Sequence, residues 1–395
     1  MRIEVVTSLY PSAVHPLEGV FAERRWLGMR ARGHAVHVLQ PLPRASRLLP
    51  LARWRALAKV PRRETRGGIE VERPRYLHWP GRARGNAVAF ARAALEALDR
   101  RARPDAVVLD YAWPAAAAVA GLRARRLPCV VSGRGSDVLA VAEEPALADE
   151  LAHALRAAGH WCAVSRDLLA HMDRLGAKAG HGRLVPNGVD PELFHPRPRA
   201  EARAALDLSA EGRLVLVVGH WIERKDPLLA LEVFARAAES ADRLVFLGRG
   251  PLGPALAAAV RARGLAPRVS LRSEVAPEEL ARWYAACDLL LLTSRREGRP
   301  NVVLEALAAG RPVLATDAGG TRELLGELAP ELLGRTRDPA ALATQMRRIL
   351  DGGHDPERLA ASVAHLRWAA SLAELEACLA AAIADEQAAE RRAEP

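Results

Sequence analysis

The chain has 395 residues, 50% hydrophobic and 26% charged, enough to bury a sizeable core spread over two or three domains. Its formal charge of +10 is uneven, because residues 1–190 carry 30 Lys and Arg against 18 Asp and Glu while the remainder carries 27 against 29. Cys129, Cys162, Cys287 and Cys378 lie far apart with no Cys-x-x-Cys, which argues against a disulfide or metal framework, and 4% aromatics with no recognition motif argue against a nucleic-acid binder.

The chain begins MRIEVVTSLYP, an apolar run that breaks at Tyr10 and Pro11 and is too short for a signal peptide. No window reaches about 18 uninterrupted apolar residues, so a cytoplasmic protein without a membrane-spanning helix is expected. Short β-branched runs then alternate with Ala- and Leu-rich stretches of helical period. Strands are expected at 2–7, 35–40, 69–77, 106–110, 128–133, 161–165 and 182–188, with helices at 18–31, 86–101, 114–125, 145–157 and 166–175. Strands separated by helices imply a parallel sheet.

The pattern restarts after a Pro-rich polar stretch at 186–206, with strands expected at 213–220, 243–248, 268–273, 289–294 and 312–317. The fold class is therefore α/β with two Rossmann-like, doubly wound domains: residues 1–190 and 191–364. Residues 365–395 are expected to form a helix packing back on the first domain, ending in a frayed polar tail. A ligand belongs at the carboxyl ends of such strands, in the cleft between domains.

Within SRREGRPNVVLEALAAG (294–310), Glu297 and Glu305 stand eight residues apart around Gly298, Pro300 and Asn301. Asn301 reads as an N-cap and Gly310 as a helix stop, so the turn brings a helix N-terminus to the sheet edge. That end suits a phosphate, with Arg295, Arg296 and Arg299 adding charge. A carboxylate repels phosphate, so Glu297 and Glu305 are better placed to accept hydrogen bonds from sugar and ribose hydroxyls; taken singly, either would equally serve as a solvated surface charge.

The block 279–325 resembles the Glu-x7-Glu signature of the retaining GT-B glycosyltransferases, group 1 or family 4. VPNGVDPELFHP (185–196), VSRDLLAHM (164–172), VGHWIERKDPLLALEVF (217–233), FLGRGP (246–251) and EGVFAERRWLGMRARGHAVHVL (18–39) resemble other segments of that family, in the family's order. The resemblance covers nearly the whole chain. It implies a GT-B fold in which Arg224 and Lys225 bind the donor diphosphate and Glu297 contacts the donor sugar. The backbone at Gly298, Arg299, Pro300, Asn301 and Val302 would lie close to sugar and phosphate, Glu305 would hold the ribose, and Gly19 would let the donor approach the first domain. Gly250 matches the Gly-x-Gly-Pro turn, and loops around Val275 would read the base or sugar. Lys225 has separate weight, being one of only three lysines beside 54 arginines.

Two positions depart from the family pattern. His220 stands where many members have Arg, and SGRGSDV places Arg134 where many have His, before Gly135 and Asp137. An arginine stays protonated and cannot be a general base, so Arg134 would pair with phosphate or an acidic acceptor, while Asp137 would equally serve as a helix N-cap. This Arg-Gly-Ser-Asp form is similar to a subgroup that includes teichuronic-acid-type polysaccharide transferases.

The resemblance implies transfer from a nucleotide-diphosphate sugar to a glycan or lipid-linked saccharide, with retention and without a metal or other cofactor, the chain having no Asp-x-Asp. A GT-B-type sugar epimerase is the alternative. A dehydrogenase would want Gly-x-Gly-x-x-Gly after the first strand, where TSLYPSAVHPLEG stands. Residues 44–84 carry 12 basic and 3 acidic residues, and within them 47–63 mixes Leu48, Leu49, Leu51, Trp54, Leu57 and Val60 with Arg and Lys59. That composition suits either an anionic membrane surface or an Arg-rich exposed helix.

Overall fold

The computed structural model describes residues 1–44, 52–176 and 181–393, so Leu48, Leu49, Leu51 and Lys178 lie outside the described residues. The chain divides into a first unit, Met1–Asn187 with Trp368–Pro395, and a second, Gly188–Arg367. Among the described residues no helix is long and apolar enough to cross a membrane.

The first unit is built on an eight-stranded sheet. In spatial order its strands are Gly182–Leu184, Trp161–Ala163, Cys129–Gly133, Ala106–Asp110, Arg2–Thr7, Ala35–Leu39, Ile69–Glu72 and Arg63–Arg66. All pairings are parallel except the last. Ala106–Asp110 and Cys129–Gly133 are buried at every position, as expected for a parallel sheet covered on both faces. The chain reverses its direction of travel across the sheet between Arg2–Thr7 and Ala106–Asp110, which makes the carboxyl ends of those strands a topological switch point.

Three local features differ from the sequence expectation. Arg63–Arg66 forms a hairpin strand, closed by Gly67 and Gly68 at φ +53° and +79°, the left-handed pair that a two-residue hairpin turn needs. The strand expected at 69–77 splits at Pro74, which has no N–H for a ladder, and Arg75–Tyr76 pairs with Leu42–Pro43 instead. The helix expected at 114–125 becomes Ala112–Ala115, Ala116–Ala118 and Val119–Ala124, with Trp113, the residue before Pro114, held in an extended conformation.

The helix Trp368–Ala393 closes the first unit. Leu372, Leu375 and Leu379 pack with Ile3, Val5, Trp26 and Met29, and each buried leucine is worth about 1.5–3 kcal/mol. Glu376 accepts from Arg32 Nε and Nη2 at 2.7 and 2.6 Å and meets His34 Nε2 at 2.7 Å. The tail expected to fray stays helical to Ala393, held in part by the Arg123–Glu386 ion pair.

The second unit has a six-stranded, wholly parallel sheet in the order Val269–Arg272, Arg243–Leu247, Leu214–Val218, Leu289–Leu292, Val313–Thr316, Leu333–Gly334. Its last strand was not anticipated, since two residues carry no periodic signal. Counted along the chain this is the order 3-2-1-4-5-6, whose switch point lies between Leu214–Val218 and Leu289–Leu292. All four cysteines are free and buried, which pushes the Cys129 and Cys287 thiols up to about 12.

Candidate functional site

Two loops leave the switch point of the second unit. One runs from Gly219 to Asp226 after Leu214–Val218, and the other from Thr293 to Pro300 after Leu289–Leu292. They are stitched by main-chain and side-chain bonds: Arg295 N donates to Arg224 O at 2.8 Å, and Thr293 Oγ1 donates to Asp226 O at 2.8 Å. Asp226 caps the helix Pro227–Ala237 from a left-handed conformation, accepting from Leu229 N, while its Oδ2 takes Arg337 at 2.6 Å and Arg295 at 2.9 Å. Arg337 also donates to the Thr293 and Ser294 carbonyls at 3.0 and 2.9 Å, so one guanidinium braces both loops.

This frame brings together residues 72 positions apart. Lys225 Nζ and Ser294 Oγ each lie 2.5 Å from Glu297 Oε1, and Arg224 Nη1 faces Oε2 at 3.7 Å. Glu297 is 5% exposed, whereas the Lys225 and Arg224 side chains retain 19% and 34% exposure. A carboxylate with one edge bound to cations and Ser294 is fixed in direction, which suits it to accept from a ligand hydroxyl.

The helix after the turn spans Asn301–Ala308. Asn301 is its first residue rather than its N-cap; Pro300 holds the cap position in an extended conformation and makes no side-chain cap bond. Arg299 also differs from expectation. Its side chain is 5% exposed and lies 3.6 Å from Glu323, so its charge is held inside the unit, and Arg295 is engaged by Asp226. Glu305, half-buried one turn into the helix, accepts a hydrogen bond from Tyr284 OH at 3.0 Å. Gly320 N donates to Glu297 O at 3.1 Å, and a side chain at 320 would put its Cβ 1.8 Å from Gly298 O.

The remaining candidates of this unit sit one loop away. His220, exposed, lies 3.2 Å from Glu274, which also takes Arg249 at 3.0 Å; the His220 bond and then the Arg249 charge hold the Glu274 carboxyl below its usual range. Val275 follows directly and packs on the core. Gly250 serves packing, because a Cβ there would lie 2.4 Å from Trp221 O, whose residue is bonded on either side to Arg249 O and Leu252 N.

Gly19 precedes the helix Val20–Ala31 in the first unit, at φ +80° against the backbone of Leu9. Arg134 grips Asp110 through two bonds of 2.8 and 2.6 Å and reaches Asn187 at 3.0 Å. Arg25 meets the same Asn187 oxygen at 3.2 Å and Val185 O at 2.9 Å, and Trp26 donates to Asp110 at 2.9 Å. Burial would raise Asp110, but Arg134 and then Arg25 hold it at about 2; burial and the neighbouring Arg134 lower Arg25 to about 10. The Arg134 side chain is 3% exposed, so its guanidinium is committed within the unit. Asp137 accepts from the backbone N–H groups of Ala112, Arg134 and Gly135, tying two loops together, although burial pushes it up to about 6.

Sequence reasoning passed over Asp226, Ser294, Tyr284 and Arg337. Asp226 alone carried a local signal, an Asp-Pro pair at a helix start; the others are recognised only through their partners in space.

Residues 27–193 match the family described as Glycosyltransferase Family 4, and residues 212–352 match Glycosyl transferases group 1. The putative teichuronic acid biosynthesis glycosyltransferase TuaC of Bacillus subtilis is 29% identical over 357 residues, 88% of this chain and 89% of that one. The D-inositol 3-phosphate glycosyltransferase of Thermobispora bispora is 35% identical over 214 residues, covering 49% of this chain and 48% of its own, so the chain spans about half of that relative. In structure the chain is similar to sucrose-phosphate synthase of Thermosynechococcus elongatus, with TM-score 0.79, 21% identity and coverage of 98% and 100%. Anabaena Alr3699/HepE in complex with UDP gives TM-score 0.74 and 17% identity, with 96% and 100% covered.

Proposed function

The chain belongs to the glycosyltransferases of family 4 and group 1 and has the GT-B fold, and from that premise we propose that it moves a sugar from a nucleotide-diphosphate sugar to a hydroxyl of a glycan or lipid-linked saccharide. The similarity to a teichuronic acid biosynthesis protein supports cell-surface polysaccharide as the product. The relatives described above are transferases or synthases, and the epimerase alternative gains no support from them.

The observation that carries the reading is the 2.5 Å contact between Lys225 and Glu297 at the switch point. A diphosphate that meets Lys225 and Arg224, and a sugar that meets Glu297, place the sugar–phosphate bond across this pair. The two cations and the N-terminus of Asn301–Ala308 then stabilise charge growing on the leaving diphosphate. Glu305, oriented by Tyr284, takes the ribose. The acceptor hydroxyl attacks the anomeric carbon from the face the diphosphate leaves, its proton passes to a phosphate oxygen, and configuration is retained. Because Arg224 and Lys225 supply positive charge, the step is read as metal-independent; activity unchanged in excess EDTA supports this, and loss restored by Mg2+ overturns it.

Glu297→Ala is expected to lower turnover at least about tenfold, roughly 1.4 kcal/mol of transition-state stabilisation, and a near-normal rate would remove Glu297 from the site. Thermal-shift measurements with UDP, GDP and ADP name the donor base. In this reading the first unit meets the acceptor, and the protein works peripherally at the inner face of the cytoplasmic membrane. Leu77 and Trp79, 58% and 62% exposed among the basic residues of 44–84, support that contact.

A further inference from the structure

In the first unit a cavity of about 550 Å³ opens beside the hairpin Arg63–Arg66 and Ile69–Glu72 and the helix Ala83–Leu98, a volume within the range of small-ligand sites. Five arginines line it, Arg62, Arg63, Arg73, Arg75 and Arg100, against two carboxylates. Those carboxylates are already spent. Glu72 is shared by Arg63 at 3.4 Å and by Arg100 and Arg101 at 3.7 Å, and Glu96 is held by Arg92 at 2.8 Å.

The deepest lining residue is Arg73, which is 0% exposed. It bonds Gln40 at 2.7 Å, Pro11 O at 2.8 Å and Glu64 at 2.7 Å, yet its Nη1, like that of Arg75, is buried without a hydrogen-bond partner among the described residues. A buried donor left unmade is costly, and here it belongs to a cation. Burial, and then the like charges of Arg62 and Arg73, hold Arg75 below the usual guanidinium range. Five guanidiniums lining one cavity with too few carboxylates, two of them carrying a buried donor without a partner, are the chemistry that an oxyanion satisfies.

We propose that this cavity binds a phosphate or diphosphate group, carried either on a saccharide or on a lipid headgroup, through a set of cations separate from Arg224 and Lys225. The proposal does not rest on the donor site. Pyrophosphate is therefore titrated calorimetrically into the Arg224→Ala, Lys225→Ala protein, which lacks the donor-phosphate cations. It should bind there, and adding Arg62→Gln, Arg63→Gln and Arg100→Gln, all exposed side chains, should weaken it at least tenfold in a protein that circular dichroism shows to be folded. If that combination fails to fold, Arg100→Gln alone should weaken binding about threefold. No pyrophosphate binding in the first protein, or equal affinity after the arginines are removed, overturns the proposal. Sedimentation with phosphatidylglycerol and phosphatidylcholine vesicles distinguishes the sources. Loss of phosphatidylglycerol binding together with pyrophosphate binding identifies the headgroup, and loss of pyrophosphate binding with vesicle binding unchanged identifies a phosphorylated saccharide.

Discussion

In the second unit Glu297 meets Lys225 and Arg224, whose side chains keep 19% and 34% exposure; in the first, Asp110 meets Arg134 with 1% and 3%. Both clusters sit at the carboxyl ends of strands beside a switch point, and both include residues that a motif would put in a site. What separates them is access. The cations on Glu297 can exchange one partner for a ligand at modest cost, whereas Arg134 would have to abandon a buried carboxylate to do so. A charged residue in a motif is thus a candidate for chemistry only when its partner can be replaced.

The largest effect that tests this contrast is Asp110→Ala. It leaves Arg134 and Arg25 buried without their carboxylate and should cost about 3–5 kcal/mol in urea unfolding, where Glu297→Ala should cost much less. An equal loss for both variants would erase the distinction between sealed and open clusters. The same carboxylate sets an acid limit. With its folded value near 2, below the unfolded one, Asp110 stabilises the fold above about pH 4 and loses that contribution as pH falls toward 2. At about 1.4 kcal/mol per unit the loss is about 2 kcal/mol, and Asp110→Asn should flatten this part of the pH profile.

Gly320→Ala should come next. Its Cβ would collide with Gly298 O, and relieving the clash should cost about 1–3 kcal/mol and displace the loop that aims Glu297, lowering both melting temperature and turnover. A variant normal in both would show that the loop has slack. The smallest change is Tyr284→Phe, which removes one hydrogen bond to Glu305 worth about 0.5–1.5 kcal/mol. Nucleotide affinity should fall a few-fold, and an unchanged affinity would separate Glu305 from the ribose.

Much of the fold was legible because buried parallel strands are apolar on both faces. Leu289–Leu292 and Leu214–Val218 announce themselves, and five of the six strands of the second sheet were expected. The hairpin at Arg63–Arg66 was not, although Gly67-Gly68 before IEVE is a hairpin signal, because a charged edge strand carries no apolar alternation. In the site, the spacing of Glu297 and Glu305 and the rarity of lysine drew notice to Glu297, Glu305 and Lys225. Ser294, Arg337 and Tyr284 had no such mark, since their contribution lies in the group each one touches.

The sequence by itself determined the two doubly wound units and the loops that carry Arg224, Lys225 and Glu297, because strand periodicity and turn residues act over a few positions. Only the tertiary structure decided which charges stay available. Arg299, Arg295 and Arg134 read as alike as any arginines in a chain of 54, and they part company through Glu323, Asp226 and Asp110, residues 24 to 69 positions away. Burial and pairing are set where distant segments meet, and a guanidinium's role follows from the carboxylate it meets there.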